Sequence, residues 1–315
     1  MIVELPALAS KDFLSILNLS PIALEQALAL AAVFKSERIK GRPHAHVLNG
    51  QHVALLFEKP SLRTHSAFTI AVRELGGDVI EPASDVAFGG RESASDVARN
   101  LERWVPIVVV RTFEQARLER FAAASARMRV INALTDEEHP CQALADMQAL
   151  IERWGSVKGR TIAFVGDGNN VAASLAQASV MLGMHVRLAT PAGFELNEVL
   201  AASVHRVARF GATFTQGHDP VEAVAGVDAV YTDAWATMGQ EDDAERRMGI
   251  FQPFQVNAAM MAKAEPNALF MHCLPAHRGH EVTDEVIDSP ASIVFDQSEN
   301  RLHTQKALLA MMSSR

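Results

Sequence analysis

Cysteine is nearly absent from this sequence: Cys141 and Cys273 are the only two in 315 residues, and they form no Cys-x-x-Cys pair. That scarcity argues against a disulfide framework or a zinc ribbon, and a reducing, cytoplasmic setting is expected. Cationic charge is also short. Lys and Arg total 29 against 37 Asp and Glu, a formal charge of −8. Neither nucleic acid nor an anionic membrane surface is therefore an expected partner, and an anionic ligand must be captured locally. Long apolar runs are missing too. No stretch approaches the ~20 residues of a membrane span. The opening MIVELPALASKDF has no basic leader followed by an apolar run. No segment is low-complexity, and no short internal repeat is visible.

What is present is ample core material: 49% hydrophobic and 21% charged residues, enough to outweigh chain entropy in an ordinary globular fold. The length suggests two domains. After a helix capped by Ser20 with Pro21 at its first position, short apolar runs alternate with amphipathic ones. Strands are expected at Val53–Phe57, Val79–Ile80, Ile107–Val110 and Val130–Ile131, each near-continuously apolar, as strands covered on both faces should be. Helical spacing fills Ser61–Leu75, Ser93–Trp104 and Glu114–Ala124. A longer helical pattern, His139–Trp154, leads into a second series.

That series has strands at Thr161–Val165, Val186–Ala189, Ala212–Phe214, Ala229–Tyr231, Leu269–Met271 and Ile293–Phe295. Its helices are Val171–Leu182, Leu196–Phe210, Val221–Ala225 and Pro253–Ala264, and a last helix runs from about Gln297 to Met312. The pattern predicts an α/β fold of two doubly wound parallel-sheet domains, 1–145 and 146–296, with 297–315 packing back on the first. In such sheets ligands sit beyond the carboxyl ends of strands. The strand-to-helix junctions should carry the chemistry.

At the first junction, Phe57-Glu58-Lys59-Pro60-Ser61-Leu62-Arg63-Thr64-His65, a strand runs into a helix N-terminus, where free amides favour an anion. Ser61 and Thr64 add hydroxyls and Arg63 a guanidinium fork suited to phosphate; equally, Ser61 can be a plain N-cap and Arg63 a solvated charge. Arg111 and His139-Pro140-Cys141-Gln142 also follow strands, and together could face a carbonyl oxygen that becomes an oxyanion. Singly, Arg111 reads as a surface cation and His139 as a cap or core residue.

In the second half Gly166-Asp167-Gly168-Asn169-Asn170-Val171 misses the dinucleotide fingerprint, having G-x-G-x-x-V and no acidic partner near Thr190-Pro191. Asn170 can hold a polar substrate end or merely shape a turn. Asp233, at another strand end, can bind an ammonium. The stretch after it, through Glu241–Arg247, reads as a mobile lid or a solvated loop. His272, His277 and His280 lack zinc-motif spacing. Arg301 opens the last helix as a site residue or a surface charge.

Taken together, the pieces F-E-K-P-S-L-R-T at 57–64, H-P-C-Q at 139–142, D-x-x-x-T-M-G at 233–239, H-C-L-P-A-H-R-G at 272–279 and E-N-R-L-H at 299–303 carry a resemblance. Nearly end to end, the chain resembles the aspartate/ornithine carbamoyltransferases, on the ornithine side of that family. The resemblance implies carbamoyl phosphate bound by Ser61, Leu62, Arg63, Thr64, Arg111, His139, Pro140, Cys141, Gln142, Cys273, Leu274 and Arg301. It implies L-ornithine bound by Asn170, Asp233, Thr237 and Met238. Of these, Arg111, His139, Gln142, Asp233, Cys273 and Arg301 are the implied catalytic set.

Domain 1–145 would then be the carbamoyl phosphate domain and 146–296 the ornithine domain. The family's enzymes need no metal or organic cofactor and work as homotrimers with sites between subunits. Three departures stand out: Leu62 and His65 replace the first Thr and the second Arg of S-T-R-T-R, Thr237 replaces Ser, and Ala87 stands where a Gln commonly reaches a neighbouring site, while Arg91 close by carries a cation that could reach a phosphate and offset the hydroxyl lost at Leu62. The rival expectations are a different amine acceptor such as N-acetylornithine or putrescine, a nicotinamide dehydrogenase, or a non-catalytic paralogue.

Overall fold

The computed structural model describes residues 8, 10–42, 44, 46–83, 92–235 and 244–313. Ala87, Arg91, Thr237 and Met238 lie outside the described residues. The chain divides into two compact units, Met1–Gln148 with Glu299–Arg315, and Ala149–Ser298.

The first unit is built on four parallel strands, β1 (His52–Phe57), β2 (Asp78–Ile80), β3 (Ile107–Arg111) and β4 (Arg129–Leu134), in the order β2-β1-β3-β4. Val53 to Leu56 and Ile107 to Val110 are all buried, which explains why these strands read as continuous apolar runs. Each Val, Leu or Ile among them contributes ~1.5–3 kcal/mol on burial. The unit's helices are α1 (Pro21–Ile39), α2 (Leu62–Glu74), α3 (Ala94–Leu101), α4 (Gln115–Ala123) and the start of α5 (Pro140–Trp154). Ser20 caps α1, its hydroxyl accepting from the Ala23 amide, with Pro21 following. After β1 the chain crosses to β2 on one side and then to β3 on the other. The reversal opens a crevice beyond the ends of β1 and β3.

The second unit repeats the plan with β5 (Thr161–Val165), β6 (His185–Ala189), β7 (Phe214–Gly217), β8 (Ala229–Thr232) and β9 (Leu269–His272), all parallel, in the order β7-β6-β5-β8-β9. Its reversal lies between β5 and β8. Its helices are α6 (Asn170–Met181), α7 (Glu198–Val207), α8 (Pro220–Val224), α9 (Ala244–Phe251), α10 (Ala258–Met261) and α11 (Asp284–Ile287). The last helix, α12 (Val294–Ser313), begins in this unit and ends in the first.

Five expectations are corrected. Ile293–Phe295 is not a strand: Ser292 makes one isolated bridge to Phe270, and α12 starts at Val294. A three-residue apolar run does not separate strand from helix start. The expected helix Pro253–Ala264 breaks into a 3-10 turn, Gln252–Phe254, and α10, because the Asn257 side chain caps the Met260 amide. The expected helix Leu196–Phe210 narrows to α7, capped at Asn197, and the strand near 212 moves to Phe214–Gly217. Finally, the end of the charged stretch Glu241–Arg247 belongs to helix α9.

Candidate active site

In the first unit the expected residues gather beyond the ends of β1 and β3. Ser61 is the N-cap of α2, its hydroxyl accepting from the Thr64 amide at 3.2 Å; Leu62 opens the helix and is exposed. Arg63 is half-buried in the first turn, and Arg111 is the half-buried last residue of β3. Arg301, on α12, is 2% exposed and donates from Nη1 to Gln142 Oε1 and from Nη2 to Thr64 Oγ1, each at 2.5 Å. Gln142 in turn donates to Asp146 at 2.8 Å. One guanidinium thus ties together α2, α5 and α12. A buried cation with its partners fixed in place is pre-organised to meet an anionic or polarised oxygen.

His139 lies just before α5 and is buried, and Pro140 takes the first helical position. Burial first, then the charges of Arg301, Arg111 and Arg63, hold its imidazole well below the ordinary 6.5. The ring is therefore neutral at physiological pH, a hydrogen-bond donor or acceptor and not a cation. Cys141 points elsewhere. Its thiol donates to the Asn132 carbonyl at 3.3 Å, and burial pushes it up to about 12, Arg301 opposing. It packs α5 on β4 and is unreactive as a nucleophile. His65, expected as a weakened cation beside the anion site, faces Glu81 at 3.0 Å instead.

In the second unit the residues cluster beyond β5, β8 and β9. Asp233 is the focus: its Oδ1 accepts from the Cys273 thiol at 2.9 Å and its Oδ2 from Asn169 Nδ2 at 2.8 Å. Asn169, which sequence reasoning passed over in favour of Asn170, also caps α6 through its Oδ1. Asn170 is the part-buried first residue of that helix. Gly168 explains the G-D-G pattern without a nucleotide, since a Cβ there would meet the Phe194 carbonyl at 2.5 Å. Leu274 follows Cys273 with φ of 58°.

Two charged residues were missed. Arg247, assigned by pattern to a lid or solvated loop, is 6% exposed; it pairs with Asp167 and sits 4.9 Å from the ring centres of both Phe194 and Phe251. Burial raises the Asp167 carboxyl and Arg247 counters it, while Asp233 adds to the rise. The second is Glu281, fully buried against His272. No local pattern distinguishes either from a surface charge. Ligand-capable atoms of Asp233, His272 and Cys273 lie within 4.8 Å of one another. Both His272 ring nitrogens already hold partners, Leu274 N and Glu281 Oε1, so a metal would have to displace one of them. Among the described residues, no helix is long and apolar enough to cross a membrane.

Two family models also divide the chain near residue 150, although the second runs on through 299–312, which pack in the first unit. A family model described as the aspartate/ornithine carbamoyltransferase carbamoyl-P binding domain matches residues 11–152, and one described as the Asp/Orn binding domain matches 158–312. An ornithine carbamoyltransferase of Thermococcus kodakarensis is 46% identical over 308 residues, 97% of each chain, as is an anabolic ornithine carbamoyltransferase of Pyrococcus furiosus. The solved ornithine carbamoyltransferase of Pyrococcus furiosus superposes with a TM-score of 0.93 at 45% identity over 97% of each chain. That of Thermus thermophilus gives 0.86 at 42% identity, covering 97% of this chain and 99% of its own.

Proposed function

The chain belongs to the aspartate/ornithine carbamoyltransferase family, and from that premise we propose that it transfers the carbamoyl group of carbamoyl phosphate to the side-chain amine of L-ornithine, giving citrulline and phosphate. In this reading the first unit holds carbamoyl phosphate through the α2 N-terminus, Arg63, Arg111 and Arg301, and the second holds ornithine through Asp233, Asn170 and the Thr237-Met238 segment. The observation that carries the acceptor is the Asp233 carboxylate, fixed between Cys273 and Asn169, a setting for an ammonium.

The chemistry follows from the groups present. An alkyl ammonium has an ordinary pKa of about 10.4, so the nucleophile must lose a proton before attack. Its nitrogen forms a bond to the carbamoyl carbon, the carbon–oxygen bond to phosphate breaks, and the departing phosphate accepts the proton. As the carbonyl oxygen gains charge it faces Arg111 and an N–H of neutral His139, each well-placed donor supplying ~3–4 kcal/mol. Neutrality of His139 matters because a neutral ring donates from one nitrogen without adding a fourth cation to the pocket.

Citrulline formation followed from pH 5 to 9 tests the reading. Citrulline and phosphate should appear in equal amounts, and kcat/KM for carbamoyl phosphate should show no break near 6.5, since His139 titrates well below that value. A break at 6.5 lost in His139→Asn would contradict the neutral role. The linked stability runs one way. Below pH 6.5 the unfolded chain takes up a proton that buried His139 refuses, so stability falls as pH drops from there; above 6.5 this group contributes no pH dependence.

The assembly belongs to the same proposal: a cytoplasmic homotrimer with sites shared between subunits, supported by the family resemblance and by two cysteines that are not joined in a disulfide. Light scattering should return a mass near three times 34.2 kDa. Mixing inactive Arg63→Ala and Arg91→Ala subunits should restore some activity. A monomeric active enzyme would sink the shared site, and full activity of Arg91→Ala alone would remove Arg91 from it.

A further inference from the structure

The H-C-L-P-A-H-R-G run contains two histidines, His272 and His277, that the proposed chemistry does not use. His272 is wholly buried at the end of β9. Its Nδ1 accepts from the Leu274 amide at 2.8 Å, so that nitrogen carries no proton and Nε2 carries it. Nε2 faces Glu281 Oε1 at 3.2 Å, and the same oxygen accepts the His277 amide at 2.6 Å. The carboxylate is also wholly buried. Burial alone would raise it, yet the His272 and His277 bonds keep it below the ordinary carboxylate range. A chain of two hydrogen bonds therefore runs from a buried anion, through one imidazole, to the backbone of residue 274.

That backbone is unusual. Leu274 has φ of 58°, the left-handed region, which a leucine adopts only where surrounding contacts impose it. The amide bond to His272 is such a contact, and it closes a tight loop around Cys273. The thiol of Cys273 is thereby set 2.9 Å from Asp233. The His272 amide, donating to Gln297 Oε1 at 3.0 Å, anchors the other side of the residue.

We infer that Glu281 and His272 are positioning residues for the acceptor: they hold the Cys273–Leu274 backbone so that Cys273 and Asp233 meet the amine in one arrangement. Neither touches substrate in this account. The inference rests on the ornithine reading above, and its test has a readout that does not. Both donors converge on one carboxylate oxygen, so Glu281→Gln, which keeps an oxygen there, should stay within about threefold of the parent, whereas Glu281→Leu strands two buried donors and should raise KM for ornithine about tenfold or more. Calorimetric binding of carbamoyl phosphate should not change.

Alkylation by iodoacetamide reports the loop directly, because buried Cys141 is silent. Freed from Asp233, Cys273 in Glu281→Leu should react at least about threefold faster than in the parent. Two substitutions at His272 separate positioning from mere packing. Asn places an oxygen at the Nδ1 position and keeps the Leu274 bond; Gln places an N–H at the Nε2 position and keeps only the Glu281 bond. His272→Asn should exceed His272→Gln in kcat/KM for ornithine by about tenfold, and this pair decides alone if Glu281→Leu does not fold. A folded Glu281→Leu with parental ornithine KM and alkylation rate, or a Gln variant equal to the Asn variant, overturns the inference. A parent enzyme that prefers another amine, with the alkylation order intact, would overturn the ornithine reading and leave the positioning role standing.

Discussion

Replacing Arg301 with methionine is expected to lower kcat/KM for carbamoyl phosphate by about 10²–10³-fold, the usual consequence of removing one pre-organised donor from a buried oxyanion site. The side chain is 2% exposed, and its two 2.5 Å bonds hold Gln142 and Thr64 in place. Methionine matches the stem but leaves both acceptors without their charged donor, at ~1.5–3 kcal/mol each, so the melting temperature should fall as well. His139 should become easier to protonate, because Arg301 is the largest of the charges that oppose it. Arg301→Lys should recover less than about tenfold of the loss, since an ammonium cannot span two acceptors as a planar fork does. Steady-state kinetics beside a thermal melt provides the check. A folded Arg301→Met enzyme within threefold of the parent would remove Arg301 from the catalytic set.

The second large effect is expected on the acceptor side. Asp233→Asn should reduce kcat/KM for ornithine by about 10²-fold or more: a hydrogen bond to a charged group is worth ~1.5–3 kcal/mol, and the substitution also disturbs the neighbours. Both Asp233 oxygens accept, one from the Cys273 thiol and one from the Asn169 amide. An asparagine must turn an NH2 group toward one of these donors, so it loses a bond whichever way it flips. Carbamoyl phosphate affinity, measured by calorimetry, should stay within about twofold of the parent because its expected anion-binding arginines lie in the other unit. An unchanged ornithine KM would contradict the assignment; a matching loss of carbamoyl phosphate binding would mean that Asp233 supports both ligands.

Much of the site was legible because strand ends are legible. β1, β3, β8 and β9 are apolar runs interrupted by chemistry-bearing residues, and Arg111, Asp233 and Cys273 all stand within one residue of such an interruption. Within each sheet the crevice rule then groups such residues from the pattern alone, Arg111 with the β1 junction in the first unit and Asp233 with Cys273 in the second. What pattern could not supply was the state of individual side chains. Asn169 and Asn170 are adjacent and chemically identical, and only geometry shows Asn169 bridging the helix cap to Asp233. Arg247 and Glu281 sit in stretches as polar as any surface loop; their burial comes from distant residues, Asp167 and His272, about 80 and nine positions away. Ile293–Phe295 failed for the opposite reason. Three apolar residues fit a strand pattern, but only Ile293 and Val294 are buried, and Val294 opens α12, on whose first turn Phe295 is exposed.

The most direct test of the central claim is acceptor competition. With saturating carbamoyl phosphate, carbamoylated product is measured with ornithine, N-acetylornithine, putrescine and aspartate offered in parallel. Asp233 presents a carboxylate suited to an ammonium, which aspartate's side chain would repel. The account predicts the highest kcat/KM for ornithine and none measurable for aspartate. A higher kcat/KM for N-acetylornithine or putrescine, or no carbamoylation of any of the four by folded protein, would contradict it.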